Sequence, residues 1–173
     1  MPRIHVCPLA HVARVAADSG ARSLISLLTP PALAPRPQKI AAQDHLQLGF
    51  ADLTAPRDGM TPASADQLKA LLDFVTRRDR PAPLLIHCFA GVSRSPAAAF
   101  IALCALTDRG EHDIAADLRR LSPSATPNRH MVALADTLLT REGRMVAAID
   151  SIGRGADCFE GESFCMEWAR DSE

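Results

Sequence analysis

A cysteine and an arginine, separated by the five residues FAGVS, are the residues of this sequence best suited to chemistry. They are Cys88 and Arg94, in the segment LLIHCFAGVSRSP of residues 84–96. A free thiol with a pKa of about 8.5 is only a few per cent ionised at neutral pH, so a nucleophilic cysteine needs neighbours that favour the thiolate. A guanidinium is a planar fork that binds two oxygens of a phosphoryl group and stabilises its charge in the transition state. The pair predicts a nucleophile, Cys88, beside a phosphate ligand, Arg94.

The flanking elements are those that such a site requires. Residues 84–87 are apolar and predict a buried strand, and residues 96–107 predict a helix that Pro96 opens. Backbone N–H groups at a helix start lack partners and attract anions, and Gly91 allows the loop to curl until successive amides converge. We therefore predict that the amides of the loop bind phosphate, with Ser95 donating to the departing sulfur and His87 holding the loop backbone. The predicted phosphate-binding residues are Phe89, Ala90, Gly91, Val92, Ser93 and Arg94.

Strand and helix patterns alternate along the rest of the chain. Alternation of this kind predicts an α/β fold with a short, mostly parallel central sheet and helices on both faces. After residue 87 the pattern is helical throughout, and we expect one domain over residues 1–152 followed by an acidic tail over 153–173. The predicted strands are 4–7, 24–28, 45–50 and 84–87, and the predicted helices are 8–17, one opened by a Ser64–Gln67 capping box, 96–107, 111–121, 128–141 and 145–152.

The segment HCFAGVSRS, from His87 to Ser95, resembles the HCx5R(S/T) phosphate-binding loop of the cysteine-based protein tyrosine phosphatases. The small size and the GxSRS ending are most similar to the dual-specificity branch, in a compact bacterial form. The resemblance covers residues 3–142. It implies the fold of that family and the hydrolysis of phosphomonoesters through a cysteinyl-phosphate on Cys88, without metal or organic cofactor.

The same resemblance implies a general acid and a brace for the loop. The family places an acid on a loop upstream, because an alkoxide or phenoxide leaves poorly without a proton. Asp52 and Asp58 are both candidates in residues 51–62, and we favour Asp52 because it directly follows the third strand. The segment TPNRHMVAL is similar to the family's PNxxF segment, in which Asn128 matches the bracing asparagine and Met131 replaces the phenylalanine.

Composition and charge exclude several classes of function. The formal net charge is −1 and aromatic residues make up 4%, which argues against a nucleic-acid surface. The longest apolar run, residues 97–106, is too short to span a bilayer, so we expect no membrane partner. Five cysteines without a CxxC pair or a secretory leader argue against a disulfide scaffold and predict a cytoplasmic protein.

Alternatives remain open at this stage. A rhodanese-like sulfurtransferase or an arsenate reductase uses a similar loop, and a phosphate-binding module without turnover would carry the same residues. Cys7 could serve as a resolving thiol. Phe89 and Val92 at the variable loop positions favour singly phosphorylated substrates, and the expected partners are a phosphorylated protein or a small phosphomonoester, with phosphate or a sulfate-like anion in the loop. The sequence does not choose between phosphotyrosine, phosphoserine or phosphothreonine, and a small molecule.

Overall fold

A five-stranded sheet forms the centre of the protein. The computed structural model describes residues 3–76 and 82–167, and its strands are β1 (Arg3–Pro8), β2 (Ser23–Leu28), β3 (His45–Gly49), β4 (Leu84–Cys88) and β5 (Phe164–Glu167). The strand order is β3-β2-β4-β1-β5. The first four strands are parallel, and β5 pairs antiparallel with β1. The predicted α/β class with a mostly parallel sheet is confirmed.

Helices cover both faces of this sheet. They are α1 (Val12–Ser19), α2 (Ala65–Thr76), α3 (Arg94–Leu106), α4 (Glu111–Leu121), α5 (Arg129–Leu138) and α6 (Arg144–Ile152). One face packs on α1 in a small apolar cluster, and the other packs on the remaining helices in a large one. Successive residues of a strand point to opposite faces, so a strand covered on both sides is buried along its whole length and is mostly apolar. This explains why β2 and β4 are buried at every position.

Two helices have origins that the sequence makes clear. The capping box before α2 is confirmed: the Ser64 amide donates to Gln67 Oε1 at 3.0 Å, and the Gln67 amide donates to Ser64 Oγ at 3.2 Å. Helix α3 is buried from Arg94 to Cys104 and packs against the sheet and three other helices, so its sequence is apolar on all sides. None of the described helices is long and apolar enough to cross a membrane.

Two predictions about secondary structure are wrong. Pro8 ends β1 instead of opening a helix, because Leu9–His11 forms a 3-10 turn whose Leu9 amide donates to the Phe89 carbonyl at 3.0 Å. The chain after β4 is not wholly helical either, since Phe164–Glu167 forms the edge strand β5. A four-residue edge strand leaves too short an alternation of apolar and polar residues to be recognised.

The described part of the predicted tail is packed against the domain. Residues 153–163, here called the C-terminal strap, contact the loop after β4 and lead into β5. Residues 168–173 lie outside the described residues, and the boundary at residue 153 stays a prediction.

Candidate active site

The loop that joins β4 to α3, residues 88–94, is here called the cysteine loop. Gly91 adopts a φ of +72°, a left-handed conformation that side chains disfavour, and a Cβ at this position would lie 2.8 Å from the backbone nitrogen of Pro8. The loop therefore curls closely against the end of β1, and only glycine fits at this point. Parallel strands end at the same edge of the sheet, which is where α/β proteins bind ligands.

Cys88 lies at the base of this loop. It is the last residue of β4 and is buried, with its Sγ 3.2 Å from the Oγ of Ser95. Ser95 lies in the first turn of α3, whose unpaired amides and positive dipole end favour a negative charge nearby. The arrangement can stabilise a thiolate and return a hydrogen bond to it when it leaves phosphorus.

Arg94 is held by one of its terminal nitrogens. Its Nη1 donates to Thr29 Oγ1 at 3.1 Å and to the Phe50 carbonyl at 2.8 Å. Its Nε is buried and has no hydrogen-bond partner among the described residues. Leaving a buried charged donor without an acceptor is costly, and an anion in the cysteine loop would satisfy it. The anchored side chain of Arg94 therefore has one buried N–H donor, on Nε, that is available to an anion.

Asp52 and Asp58 differ completely in their surroundings. Oδ1 of Asp52 accepts hydrogen bonds from Ser93 Oγ at 2.7 Å and from Asn128 Nδ2 at 2.8 Å, whereas no described residue donates to its Oδ2. Asp58 lies at an exposed hairpin tip, where its carboxylate is 3.7 Å from Arg57. Of the two acid candidates, only Asp52 is brought to the cysteine loop.

Asn128 connects three parts of the site. Its Nδ2 donates to Asp52 and to the Leu53 carbonyl, the latter at 3.3 Å, and its backbone amide donates to the Ser93 carbonyl at 3.2 Å. Its Oδ1 accepts from the Met131 amide at 3.0 Å and caps α5. Asn128 therefore links the loop that carries Asp52, the cysteine loop and α5.

His87 begins a hydrogen-bonded chain across the sheet. Burial lowers its pKa to about 4, so the ring is neutral near pH 7. Its Nδ1 is 3.3 Å from the Cys88 carbonyl, which only accepts, so Nδ1 carries the proton and Nε2 must accept from Ser26 Oγ at 2.7 Å. Ser26 then accepts from His45 Nε2 at 2.8 Å. Donation runs in one direction, from His45 through Ser26 and His87 to the carbonyl of the cysteine.

Cys7 lies on the opposite face of the sheet from Cys88. In the parallel pairing of β1 and β4, Cys7 is opposite His87 and Pro8 is opposite Cys88. Cys7 belongs to the cluster under α1 and Cys88 to the cluster on the other face. Burial raises the pKa of the Cys7 thiol to about 12. Opposite placement and a protonated thiol argue against Cys7 as a resolving cysteine.

The C-terminal strap supports the cysteine loop from outside. The Gly161 amide donates to the Ala90 carbonyl at 2.9 Å, and a Cβ on Gly161 would lie 3.1 Å from the Gly91 carbonyl oxygen. His11, in the turn after β1, anchors the strap through Ser163 Oγ at 3.0 Å and Glu160 at 3.7 Å.

Sequence reasoning missed these supporting residues. Thr29 directly follows β2 and Phe50 directly follows β3, so the shared carboxyl edge of parallel strands could have predicted their proximity to Arg94. Ser26, His45 and Gly161 carry no motif that could have identified them. Among residues 3–76 and 82–167, no group of three or more His, Cys, Asp or Glu side chains could hold a metal ion.

The chain matches one family model and is similar in fold to several solved structures. A model of the family described as protein-tyrosine phosphatase matches residues 42–133, and no curated protein matches the chain in sequence. The structure of PTP-2 phosphatase from Cydia pomonella superposes with a TM-score of 0.60 at 21% identity, covering 78% of this chain and 84% of that one. DUSP15 gives 0.60 at 17% identity, covering 86% and 90%. PTPMT1 in complex with PI(5)P gives 0.57 at 13% identity, covering 84% and 90%.

Proposed function

The chain belongs to the protein-tyrosine phosphatase family, and from that premise we propose that it hydrolyses phosphomonoesters with Cys88 as nucleophile. The observation that carries the proposal is the state of Arg94, which is anchored through Nη1 while its buried Nε has no partner among the described residues. The same loop holds Cys88, whose Sγ is within hydrogen-bonding distance of Ser95 Oγ. A phosphate in this loop would accept from that Nε and from the loop amides of residues 89–94. We propose a reducing cytoplasm as its location, where such a thiol stays reduced.

In the first step the Cys88 thiolate attacks phosphorus, the ester P–O bond breaks, and the leaving oxygen takes a proton from Asp52. In the second step water attacks the phosphocysteine, the same carboxylate takes its proton, and the S–P bond breaks. Ser95 then donates to the departing sulfur. Asp52 suits this role because Ser93 and Asn128 hold its Oδ1. Its Oδ2 is left to carry the proton.

The test is hydrolysis of p-nitrophenyl phosphate as a function of pH in the presence of EDTA. We expect a bell-shaped profile on the acidic side of neutral, because the thiol must be ionised and the acid protonated. Cys88→Ser should abolish turnover and Asp52→Asn should lower kcat by about 100-fold or more. Asp58→Asn is the matched control and should retain activity within about twofold, since Asp58 lies at an exposed tip.

Each other outcome selects an alternative. Turnover that survives Cys88→Ser would contradict the cysteine mechanism. A loss with Asp58→Asn instead of Asp52→Asn would move the acid to Asp58. Tight phosphopeptide binding by a folded, reduced protein without hydrolysis would indicate a binding module, and turnover of thiosulfate or arsenate instead would indicate a sulfurtransferase or an arsenate reductase.

A further inference from the structure

Large apolar side chains are concentrated around the candidate active site. Five of them are exposed among the described residues, and four of the five lie on the loops at the carboxyl edge of the sheet. Single exposed apolar residues are normal on any protein, but a group around one site marks a binding surface. The five are Leu33 at 76% exposure, Met60 at 42%, Phe89 at 65%, Phe159 at 99% and, away from the site on α5, Leu138 at 40%.

Each of the four lies on a segment that contacts the catalytic groups. The loop of Leu33 begins with Thr29, which accepts from Arg94, and the loop of Met60 contains Asp52. Phe89 is part of the cysteine loop itself. Phe159 is in the C-terminal strap, whose Gly161 donates to the Ala90 carbonyl. We call Leu33, Met60, Phe89 and Phe159 the apolar rim.

The order of the strands sets the order of the four segments that carry the apolar rim. Met60 follows β3, Leu33 follows β2 and Phe89 follows β4, while the strap is anchored beside the end of β1. Neighbouring strands are about 4.8 Å apart, so the ends of the four strands from β3 to β1 span about 14 Å. An extended chain of about four residues covers that distance, whereas a small phosphomonoester does not. The cysteine loop follows β4, so in the strand order the loops of Leu33 and Met60 lie on one side of it and the strap beside β1 lies on the other.

The charge of these loops does not favour substrates with further negative groups. Residues 29–41, 50–63 and 153–163 contain four basic and five acidic residues, and the strap alone contains three of the acids. Anionic lipid surfaces and acidic peptides are bound by an excess of Lys and Arg. Taken together, these loops therefore offer no excess of basic groups beyond the cysteine loop and Arg94, and they carry exposed apolar side chains.

We propose that the apolar rim binds a phosphorylated protein segment with apolar side chains on both sides of the phosphorylated residue. The inference rests on the proposed phosphatase function and adds the class of segment that the site selects. The cysteine loop takes the phosphate, and the rim takes the neighbouring side chains before and after it.

The experiment compares kcat/KM for phosphotyrosyl peptides of one length, flanked by Leu and Phe, by Ala, or by Glu. We expect the wild-type full-length chain to favour apolar over alanine flanks by about tenfold, and to disfavour acidic flanks. The double variant Leu33→Ser/Phe159→Ser should lose this preference, yet hydrolyse p-nitrophenyl phosphate normally because both side chains are largely exposed and neither belongs to the cysteine loop. Leu138→Ser is the matched control, an exposed leucine away from the loops, and should keep the preference.

Several results would overturn the proposal. A flat peptide series, a preference for acidic flanks, or a preference that survives the double variant would each do so. Faster hydrolysis of phosphoinositide in phosphatidylcholine vesicles than of the best peptide would assign the rim to a lipid surface. A failure of p-nitrophenyl phosphate hydrolysis would contradict the proposed function instead, and binding of the same peptides to Cys88→Ser would still test the rim.

Discussion

The cysteine loop and the C-terminal strap touch each other but are built in opposite ways. The loop is formed by consecutive residues between a buried strand and a buried helix, and its Cys88 and Arg94 are buried, as is the adjoining Ser95. The strap carries the fully exposed Phe159 and meets the loop through Gly161. The atoms proposed for catalysis therefore lie on buried elements that are adjacent in sequence, whereas part of the proposed substrate-binding surface comes from a distant segment.

The cysteine loop and the strap therefore differ in which of their positions the structure constrains. In the loop, geometry limits Gly91 through its positive φ and its contact with Pro8, and it limits Cys88 and Arg94 through burial. In the strap, only the contact points are limited, and the positions between them can vary. Substitutions at the two contacts should consequently have effects of different size.

The largest effect should come from Gly91→Ala. The new Cβ would lie 2.8 Å from the Pro8 nitrogen, and the residue would keep a φ of +72°. Neither the strand nor the loop can move without displacing Cys88 and Arg94, and displacements of about 1 Å cost roughly 100-fold in rate. We expect kcat for p-nitrophenyl phosphate to fall by at least that factor.

Gly59→Ala separates steric contact from backbone strain. Gly59 also has a positive φ, +75°, but its Cβ would meet nothing within 4 Å. This control should keep near-normal kcat. Equal activity of the two variants would show that the cysteine loop is not held against β1 as tightly as the contact requires.

The second-largest effect concerns the stability of the folded protein, and it comes from His87, which supports the cysteine loop. Burial lowers the pKa of His87 from 6.5 to about 4, so between these values the unfolded chain binds more protons than the folded one. Stability should therefore be complete above pH 6.5 and decrease as the pH falls to 4, by on the order of 3 kcal/mol from this residue. Urea unfolding at pH 7 and pH 4.5 measures the loss.

His87→Gln removes this titration while keeping a polar side chain. The variant should be less stable than wild type at pH 7 but lose less stability on acidification. His5, whose pKa burial also lowers, remains in both proteins and cancels in the difference. An identical loss in the two proteins would mean that His87 is accessible to protons in the folded state.

These two regions also show what could be predicted from the sequence. Cys88, Arg94 and Ser95 are consecutive or nearly so, and their flanking strand and helix are strongly apolar, so local pattern was sufficient to bring them together. Asp52 was favoured because it follows β3, and the shared edge of a parallel sheet does bring it to Ser93. Gly161 and His45 contact the site from far along the chain, and a single sequence carries no signal for such long-range contacts.

A smaller effect should follow from Gly161→Ala in the strap. Its Cβ would lie 3.1 Å from the Gly91 carbonyl oxygen and 3.3 Å from a methyl group of Val92, so the strap must shift by a few tenths of an ångström. Because the strap is exposed and can give way, we expect kcat/KM for an apolar-flanked phosphopeptide to fall by about tenfold, with a smaller change for p-nitrophenyl phosphate.

Gly110→Ala is the matched control. Its Cβ would meet the flexible carboxylate of Asp113 at 3.3 Å, a similar distance but far from the cysteine loop. Both substrates should then be hydrolysed at wild-type rates. If Gly161→Ala behaved in the same way, the strap would be a passive cover and the contrast between the two regions would lose its functional meaning.

The smallest effect should be at His45, the outer end of the hydrogen-bonded chain. His45→Leu removes the donor to Ser26 but leaves Ser26 free to donate to His87, so only the polarisation of the chain is lost. We expect less than about a threefold change in the rate at which iodoacetamide alkylates Cys88. The measurement needs a Cys158→Ser/Cys165→Ser background, because Cys158 is exposed and Cys165 is only partly buried, whereas burial raises the pKa of both Cys7 and Cys104 to about 12.

Two further variants decide whether the chain itself carries this effect. His45→Gln retains an N–H donor and should restore the wild-type alkylation profile against pH. Gln47→Leu changes an exposed residue two positions along the same strand and should have no influence. Identical profiles for the leucine and glutamine variants would show that the hydrogen bond from His45 to Ser26 does not affect Cys88. A shift that glutamine reverses would extend the support of the nucleophile across three strands, from Cys88 to the far edge of the sheet.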